Sequence, residues 1–276
     1  MFSSNINDDE IKKRIIEFRK RARNGIADKD CLIELSRIFG DEHSFPAETI
    51  QFEKKTIFYR ARAIPNDNTI LRNTINNIAD AWEPPSHIIS SQGRLNAVNQ
   101  SILYCCLNHP SLAIDEARAR SSKHVAIMVY KSTRPIKAAT IGNYHNSNLP
   151  KDNRTERFYS FLDEEFSRIA STNEEGIYSI SRTIADTYFN YPEQDAWCYR
   201  SVMSPERFNI AFLPEKHKDC LELQGVMICD TSKSSDTNLS VIYVVDFDKN
   251  THEARYHLIG SAEQKRIFPE ITTNEN

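Results

Sequence analysis

The stretch "GRLNAVNQSILYCC", Gly93 to Cys106, runs from a polar, breaker-marked segment straight into apolar residues. Ile102 to Leu107 reads as a short buried strand, so the arginine and asparagine of Gly93-Arg94-Leu95-Asn96 sit in a loop at its mouth. Side chains alternate along a strand, so Cys105 and Cys106 point to opposite faces and Tyr104 shares a face with Cys106. Asn108-His109-Pro110-Ser111 then breaks the chain, and Ser111 is placed to cap a helix running through Arg120.

Outward from this unit, Thr56 to Arg62 and His124 to Tyr130 have the texture of strands. Arg154 to Ile169 and Ile177 to Phe189 read as helices, the second despite its β-branched residues. Trp197 to Val202, Val226 to Asp230 and Ser240 to Phe247 read as strands, with a loop at Ser232 to Thr237 before the last. Strands first separated by helices and later clustered predict an α+β fold and not a doubly wound sheet.

Before this core, Ile11, Ile15, Phe18 and Ala22 recur at helical spacing behind Asp8 and Asp9, and Asn24-Gly25 ends the run. Lys12, Lys13, Arg14, Arg19, Lys20, Arg21 and Arg23 occupy the other face, which reads either as a solvated surface or as a contact for nucleic acid or a partner. A second short helix spans about Asp30 to Phe39 and stops at Gly40. Residues 1–50 are thus expected to form a helical extension and residues 51–276 the functional domain.

Composition excludes several classes. A net charge of -3 over 276 residues gives no global footprint for nucleic acid or an anionic membrane. Seven glycines, with neither GxGxxG nor GxxxxGK[ST], argue against a glycine-cradled nucleotide loop. The six cysteines form no C-x-x-C and read as buried thiols. The histidines His43, His87, His109, His124, His145, His217, His252 and His257 are scattered and imply no metal site. The polar start lacks a signal-peptide pattern, and no apolar run reaches membrane-spanning length, so a cytoplasmic protein is expected.

Polar groups in apolar settings mark the candidate site. They are Arg60 after Phe58-Tyr59, Arg94 and Asn96 in the loop, Tyr104 in the strand, and Glu116 on the helix. Ser201 ends "DAWCYRS", and Asn209 lies in "FNIAF". Singly each has a structural explanation: a snorkelling arginine, a charge on a wet helix face, a serine cap.

Taken in order, "FYRAR", "GRLN" followed by "ILY", "AIDEAR", "DAWCYRS" and "FNIAF" resemble the RES domain family, named for its Arg, Glu and Ser. The likeness runs from about Phe58 to Phe247, with its motifs ending at Phe212. It departs from the family pattern at Ala97 to Ser101, where a glycine and a proline are usual, and at Ala196, where glycine is usual. The resemblance implies a fold like that of ADP-ribosyltransferases, with a split β-structure clasping NAD and flanking helices. It further implies an enzyme that degrades NAD by hydrolysis or phosphorolysis, often as the toxin of a toxin–antitoxin pair. Carried over by motif, Arg60, Tyr104, Glu116 and Ser201 are the expected core. Tyr59, Arg94, Asn96 and Asn209 are the supporting residues.

The residue types suit that chemistry. In NAD the leaving nicotinamide departs neutral, so no acid need protonate it, and one carboxylate suffices to stabilise an oxocarbenium-like transition state. Glu116 fits that part. An arginine grips a diphosphate bidentately, an aromatic such as Tyr104 packs on the nicotinamide, and a serine hydroxyl orients ribose or amide. NAD is then a substrate and no cofactor is expected. Phosphate, an antitoxin protein or a second copy of the chain are the further expected partners. Two rivals use the same cleft: a mono-ADP-ribosyltransferase acting on a macromolecule, and a non-catalytic NAD or ADP-ribose binding module.

Overall fold

Alternation along the Gly93–Cys106 stretch sorts the molecule into two faces. The computed structural model describes residues 8–23, 26–39, 47–66, 70–142, 153–168, 178–204, 206–235 and 238–272. The expected helix stops at Asn24-Gly25 and Gly40, the termini Ile169 and Ile177, Thr237, His43 and His145 lie outside these residues. The chain runs α1 (Asp8–Arg23), α2 (Asp28–Phe39), β1 (Glu48–Phe52), β2 (Ile57–Ile64), β3 (Leu103–Leu107), α3 (Pro110–Glu116), β4 (His124–Ser132) and β5 (Ile136–Ile141). It continues through α4 (Asn153–Ser167), α5 (Tyr178–Tyr188), β6 (Ala196–Arg200), β7 (Phe208–Phe212), α6 (Lys216–Cys220), β8 (Leu221–Asp230), β9 (Ser240–Phe247), β10 (Ala254–Leu258) and α7 (Ala262–Ile267). Short 3₁₀ turns fill 71–73, 78–81 and 86–88.

The strands pair in the order β1-β5-β6-β7-β3-β2-β4-β8-β9-β10. Every ladder is antiparallel except β5–β6. The fold is α+β. Its central joint is narrow: β2 meets β3 only at Phe58↔Leu107 and Tyr59↔Cys106, whereas it stays in register with β4 from Ile57 to Ile64. The ten-stranded sheet is continuous, and its two halves meet through this two-residue ladder.

One face feeds a single cluster that includes Phe58, Leu103, Cys105, Met128, Tyr130, Cys198, Ile210, Phe212 and Val226. Phe58 makes edge contacts with Phe52 and Phe212 at centroid distances of 5.8 and 5.4 Å, the favoured geometry for aromatic pairs. The other face is divided. Over β5-β6-β7-β3, helices α1, α2, α4 and α5 bury Phe18, Leu35, Phe39, Phe158, Phe161 and Ile184 against Trp197 and Tyr199. Over β2-β4-β8-β9, α3 and the C-terminal segment cover Val125, Ile127, Met227 and Val244.

The two N-terminal helices belong to this packing. Phe39 meets Phe158 and Phe161 at 5.2 and 5.3 Å, so the 1–50 and 51–276 segments share a core. Part of the basic face of α1 is used internally. Arg19 binds Glu165 at 2.6 Å and Glu164 at 2.7 Å, and Arg21 pairs with Glu34 of α2. Buried Glu165 has its carboxyl pushed up by desolvation, opposed by Arg19 and Arg168.

Helix α3 differs from the sequence expectation at both ends. Pro110 occupies its first turn, where the missing N–H costs nothing, and buried Ser111 lies inside the helix and not at its cap. The helix stops at Glu116 and not at Arg120, because Arg118 takes a left-handed backbone with φ 51°. All six cysteines are buried and unbridged. Among the described residues no helix is long and apolar enough to cross a membrane.

Phe18 is fully buried, and truncation of a core phenylalanine leaves a cavity. Phe18→Ala is expected to destabilise the whole chain by about 3–5 kcal/mol in a single urea transition. A separate low-denaturant transition for the N-terminal helices would show that they are not part of the core.

Candidate functional site

The pocket lies between the loop before β3, the end of α3, the start of α5 and the end of β6. It has a volume of about 220 Å³. The loop contributes Gly93, Arg94 and Asn96, β3 contributes Tyr104, and the end of α3 contributes Glu116 and Arg118. Tyr178 of α5, Tyr199 of β6, and Val202 and Met203 just beyond complete the wall.

The loop is held by its own motif residues. Gly93 N–H donates to the Asn96 carbonyl at 3.0 Å. Tyr104 donates its hydroxyl to Asn96 Oδ1 at 2.9 Å and accepts from Leu95 N–H at 3.2 Å. A Cβ on Gly93 would stand 2.2 Å from Asn96 Oδ1, so only glycine fits against that amide. Buried Ser181 of α5 donates to the Arg94 carbonyl at 2.8 Å. Asn99 takes the left-handed turn, φ 60°, a conformation asparagine tolerates best among non-glycine residues. The departures from the family pattern are thus absorbed: Asn99 makes the turn, and Ala196 sits in regular buried strand.

Arg94 crosses the back of the pocket. It donates to the Arg168 carbonyl at 2.6 Å, just past the C-terminus of α4, where the helix dipole favours a cation. Its guanidinium carbon lies 5.7 and 5.6 Å from the ring centroids of Tyr178 and Tyr199, within cation–π range. Its buried Nε has no hydrogen-bond partner among the described residues. Burial pushes the Tyr104 and Tyr199 phenols up, so both stay protonated donors at neutral pH.

Glu116 is positioned by Ser201. The Ser201 hydroxyl donates to Glu116 Oε1 at 2.5 Å, and its oxygen accepts from the Met203 and Ser204 amides at 3.1 and 3.0 Å. Ser201 N–H itself donates to the Arg207 carbonyl at 2.8 Å. With its proton on the carboxylate and its oxygen taken by two amides, this buried hydroxyl is not free to act as a nucleophile. It fixes one carboxylate oxygen of a residue that lines the cavity.

The remaining candidates take separate places. Cross-strand pairing aligns Tyr199, Asn209, Cys106 and Tyr59 in one row on the pocket face. Asn209 is buried behind the pocket and accepts from the Cys106 thiol at 3.3 Å. Burial and the nearby Glu116 and Asp115 push that thiol up. Tyr59 packs against α3 and does not line the cavity. Arg60 lies on the opposite face of β2, with Phe58, and donates to the Trp82 carbonyl at 2.8 Å beside Tyr130. The structure therefore groups Arg94, Asn96, Tyr104, Glu116 and Ser201, and leaves Arg60 across the sheet from them.

Sequence reading passed over Tyr178, Tyr199, Arg118, Val202 and Met203 as site residues. Tyr199 had a signal, since it stands two positions before Ser201 and shares its side of the strand. Tyr178 arrives only through the packing of α5. Among the described residues no group of three or more His, Cys, Asp or Glu could hold a metal ion.

Fold and site define an α+β protein with a small pocket in which an oriented carboxylate faces tyrosines and arginine. The RES domain model matches residues 68–231, more than half of the chain, and the chain belongs to that family. The matched span holds Arg94, Asn96, Tyr104, Glu116, Ser201 and Asn209 and begins after Tyr59 and Arg60, a narrower reach than the motif likeness from Phe58 to Phe247. Membership is consistent with an NAD-related, toxin-like function. No curated protein and no solved structure matches the chain.

Arg60→Ala leaves the Trp82 carbonyl without its donor. The expected outcome is a loss of about 1–3 kcal/mol in urea unfolding, with ligand binding at the pocket retained. Unchanged stability together with lost binding would place Arg60 in the site.

Proposed function

We propose that the pocket cleaves the bond between nicotinamide and ribose in NAD and passes the ADP-ribosyl group to water or phosphate. The observation that carries this reading is the Ser201–Glu116 hydrogen bond at the pocket wall. It presents a fixed carboxylate in a cavity lined by three tyrosines and two guanidiniums, within a chain of the RES family.

The residues divide the work as follows. Nicotinamide leaves neutral, taking the bonding electron pair, and positive charge develops on the ribose. Glu116 stabilises that charge electrostatically, and its orientation by Ser201 is set before the reaction begins. Tyr104, half-buried at the cavity wall, offers the ring against which the nicotinamide packs. Arg94, held at the back wall, adds positive charge to the field at the phosphates. The acceptor oxygen then bonds to the ribose carbon and gives its proton to solvent. A cavity of about 220 Å³ lies below the roughly 300–1,000 Å³ of pockets that enclose a drug-sized ligand. It takes the nicotinamide–ribose end and a small acceptor, with the adenosine end outside.

Purified protein incubated with NAD, with and without phosphate or added protein acceptors, tests this reading by nicotinamide release and by labelling of the acceptor. Nicotinamide is expected to appear without labelled protein. Labelled protein would establish the transferase instead, and retained binding with no release would leave a binding module. Glu116→Gln is expected to lower kcat by at least about 10²-fold, on the scale of losing a transition-state charge partner. Ser201→Ala, which frees the carboxylate but keeps its charge, should cost less, about 10-fold. Near wild-type turnover in Glu116→Gln would remove the assignment.

A further inference from the structure

We propose that Arg118, at the pocket wall, is a specificity-determining residue that holds the diphosphate of the substrate and so selects dinucleotides over nicotinamide riboside. The inference deepens the NAD reading above and rests on it. Three independent observations meet at this residue.

The first is its backbone. Arg118 follows the end of α3 with φ 51°. Its N–H donates to the Asp115 carbonyl at 2.9 Å, and Ala119 N–H donates to the Ile114 carbonyl at 3.0 Å. Helix ends ordinarily give this left-handed position to glycine, because a Cβ is disfavoured there. An arginine here carries strain that a glycine would remove.

The second is its side chain. Among the described residues the Arg118 guanidinium makes no hydrogen bond or ion pair. Asp115, the acid on the preceding turn, is engaged by Arg120 through two nitrogens. Glu116 accepts from Ser201. The strain therefore serves no internal contact of the side chain.

The third is its place. Arg118 lines the same cavity as Arg94 and Glu116, so the wall carries two guanidiniums against one carboxylate and favours an anion. Arg94 is committed to the Arg168 carbonyl and to two tyrosine rings. Arg118 is exposed and uncommitted, and a planar fork of N–H donors matches phosphate oxygens bidentately. With the nicotinamide–ribose end beside Glu116, the diphosphate is the anion that lies next along the substrate.

Two variants separate function from strain. Arg118→Gly removes the guanidinium and suits the left-handed backbone, whereas Arg118→Lys keeps both charge and strain. Steady-state kinetics on NAD and on nicotinamide riboside are measured alongside melting temperature and calorimetric titration with inorganic pyrophosphate. Arg118→Gly is expected to raise KM for NAD by about 10- to 100-fold, as loss of a charge-assisted hydrogen bond does, with kcat little changed and riboside turnover unaffected. Its melting temperature should rise and its pyrophosphate affinity fall, and Arg118→Lys should recover part of the KM. An unchanged KM for NAD, an equal loss on NAD and riboside, or undiminished pyrophosphate binding in Arg118→Gly overturns the proposal. If the wild type leaves NAD intact, the NAD reading fails by itself. Pyrophosphate bound by the wild type and lost in Arg118→Gly would still establish the anion site, and its absence in the wild type would sink that too.

Discussion

Everything in the site hangs on the alternation of β3 at the joint of the sheet. Leu103 and Cys105 point into the cluster that unites both halves from below, while Tyr104 and Cys106 point up into the gap between α3 and the helical layer. A slip of one residue would send the tyrosine into the core and a leucine into the pocket. β3 touches β2 through a short ladder, and the cavity beside this joint is walled by Tyr104 of β3 and by Glu116 and Arg118 at the end of α3. Burying Leu103 and Cys105 thereby also positions Tyr104.

From that joint the polar contacts radiate in order. Tyr104 holds Asn96, Asn96 excludes any side chain at Gly93, and the loop so closed aims Arg94 across the back wall. On the opposite side Ser201 holds Glu116. The two long side chains in these arrangements are both held, Arg94 by a helix end and two aromatic rings and Glu116 by Ser201. Such a site is organised before its ligand arrives, which is the condition under which fixed charges act most strongly on a developing cation.

The sequence disclosed these parts unevenly, for physical reasons. Strands β4 and β9 were plain because long β-branched, apolar runs carry their own signal. Strands β1, β5 and β10 were not, since "IKAATI" is rich in alanine and "ETIQF" and "ARYHL" are edge strands with little hydrophobic alternation. The asparagine, tyrosine and glutamate of the site are legible only through the order of the motifs that hold them, since singly each has a structural explanation. Arg60 shows the limit of such reading: its motif was visible, but the face of β2 that it occupies depends on which residues β2 buries. Phe58 and Ile64 are fully buried on that face, and they carry Arg60 with them. Arg118 is absent from the sequence reading of the site because its left-handed backbone leaves no mark in the local sequence.

The central claim is that NAD is met on the α3 face of the sheet, with its scissile bond at Glu116. A crystal structure of the Glu116→Gln variant with NAD bound is the most direct test. The account predicts nicotinamide against Tyr104, the ribose beside residue 116, and the phosphates towards Arg94 and Arg118. NAD bound on the Arg60 and Trp82 face, or in the pocket with its adenine at residue 116, would contradict it.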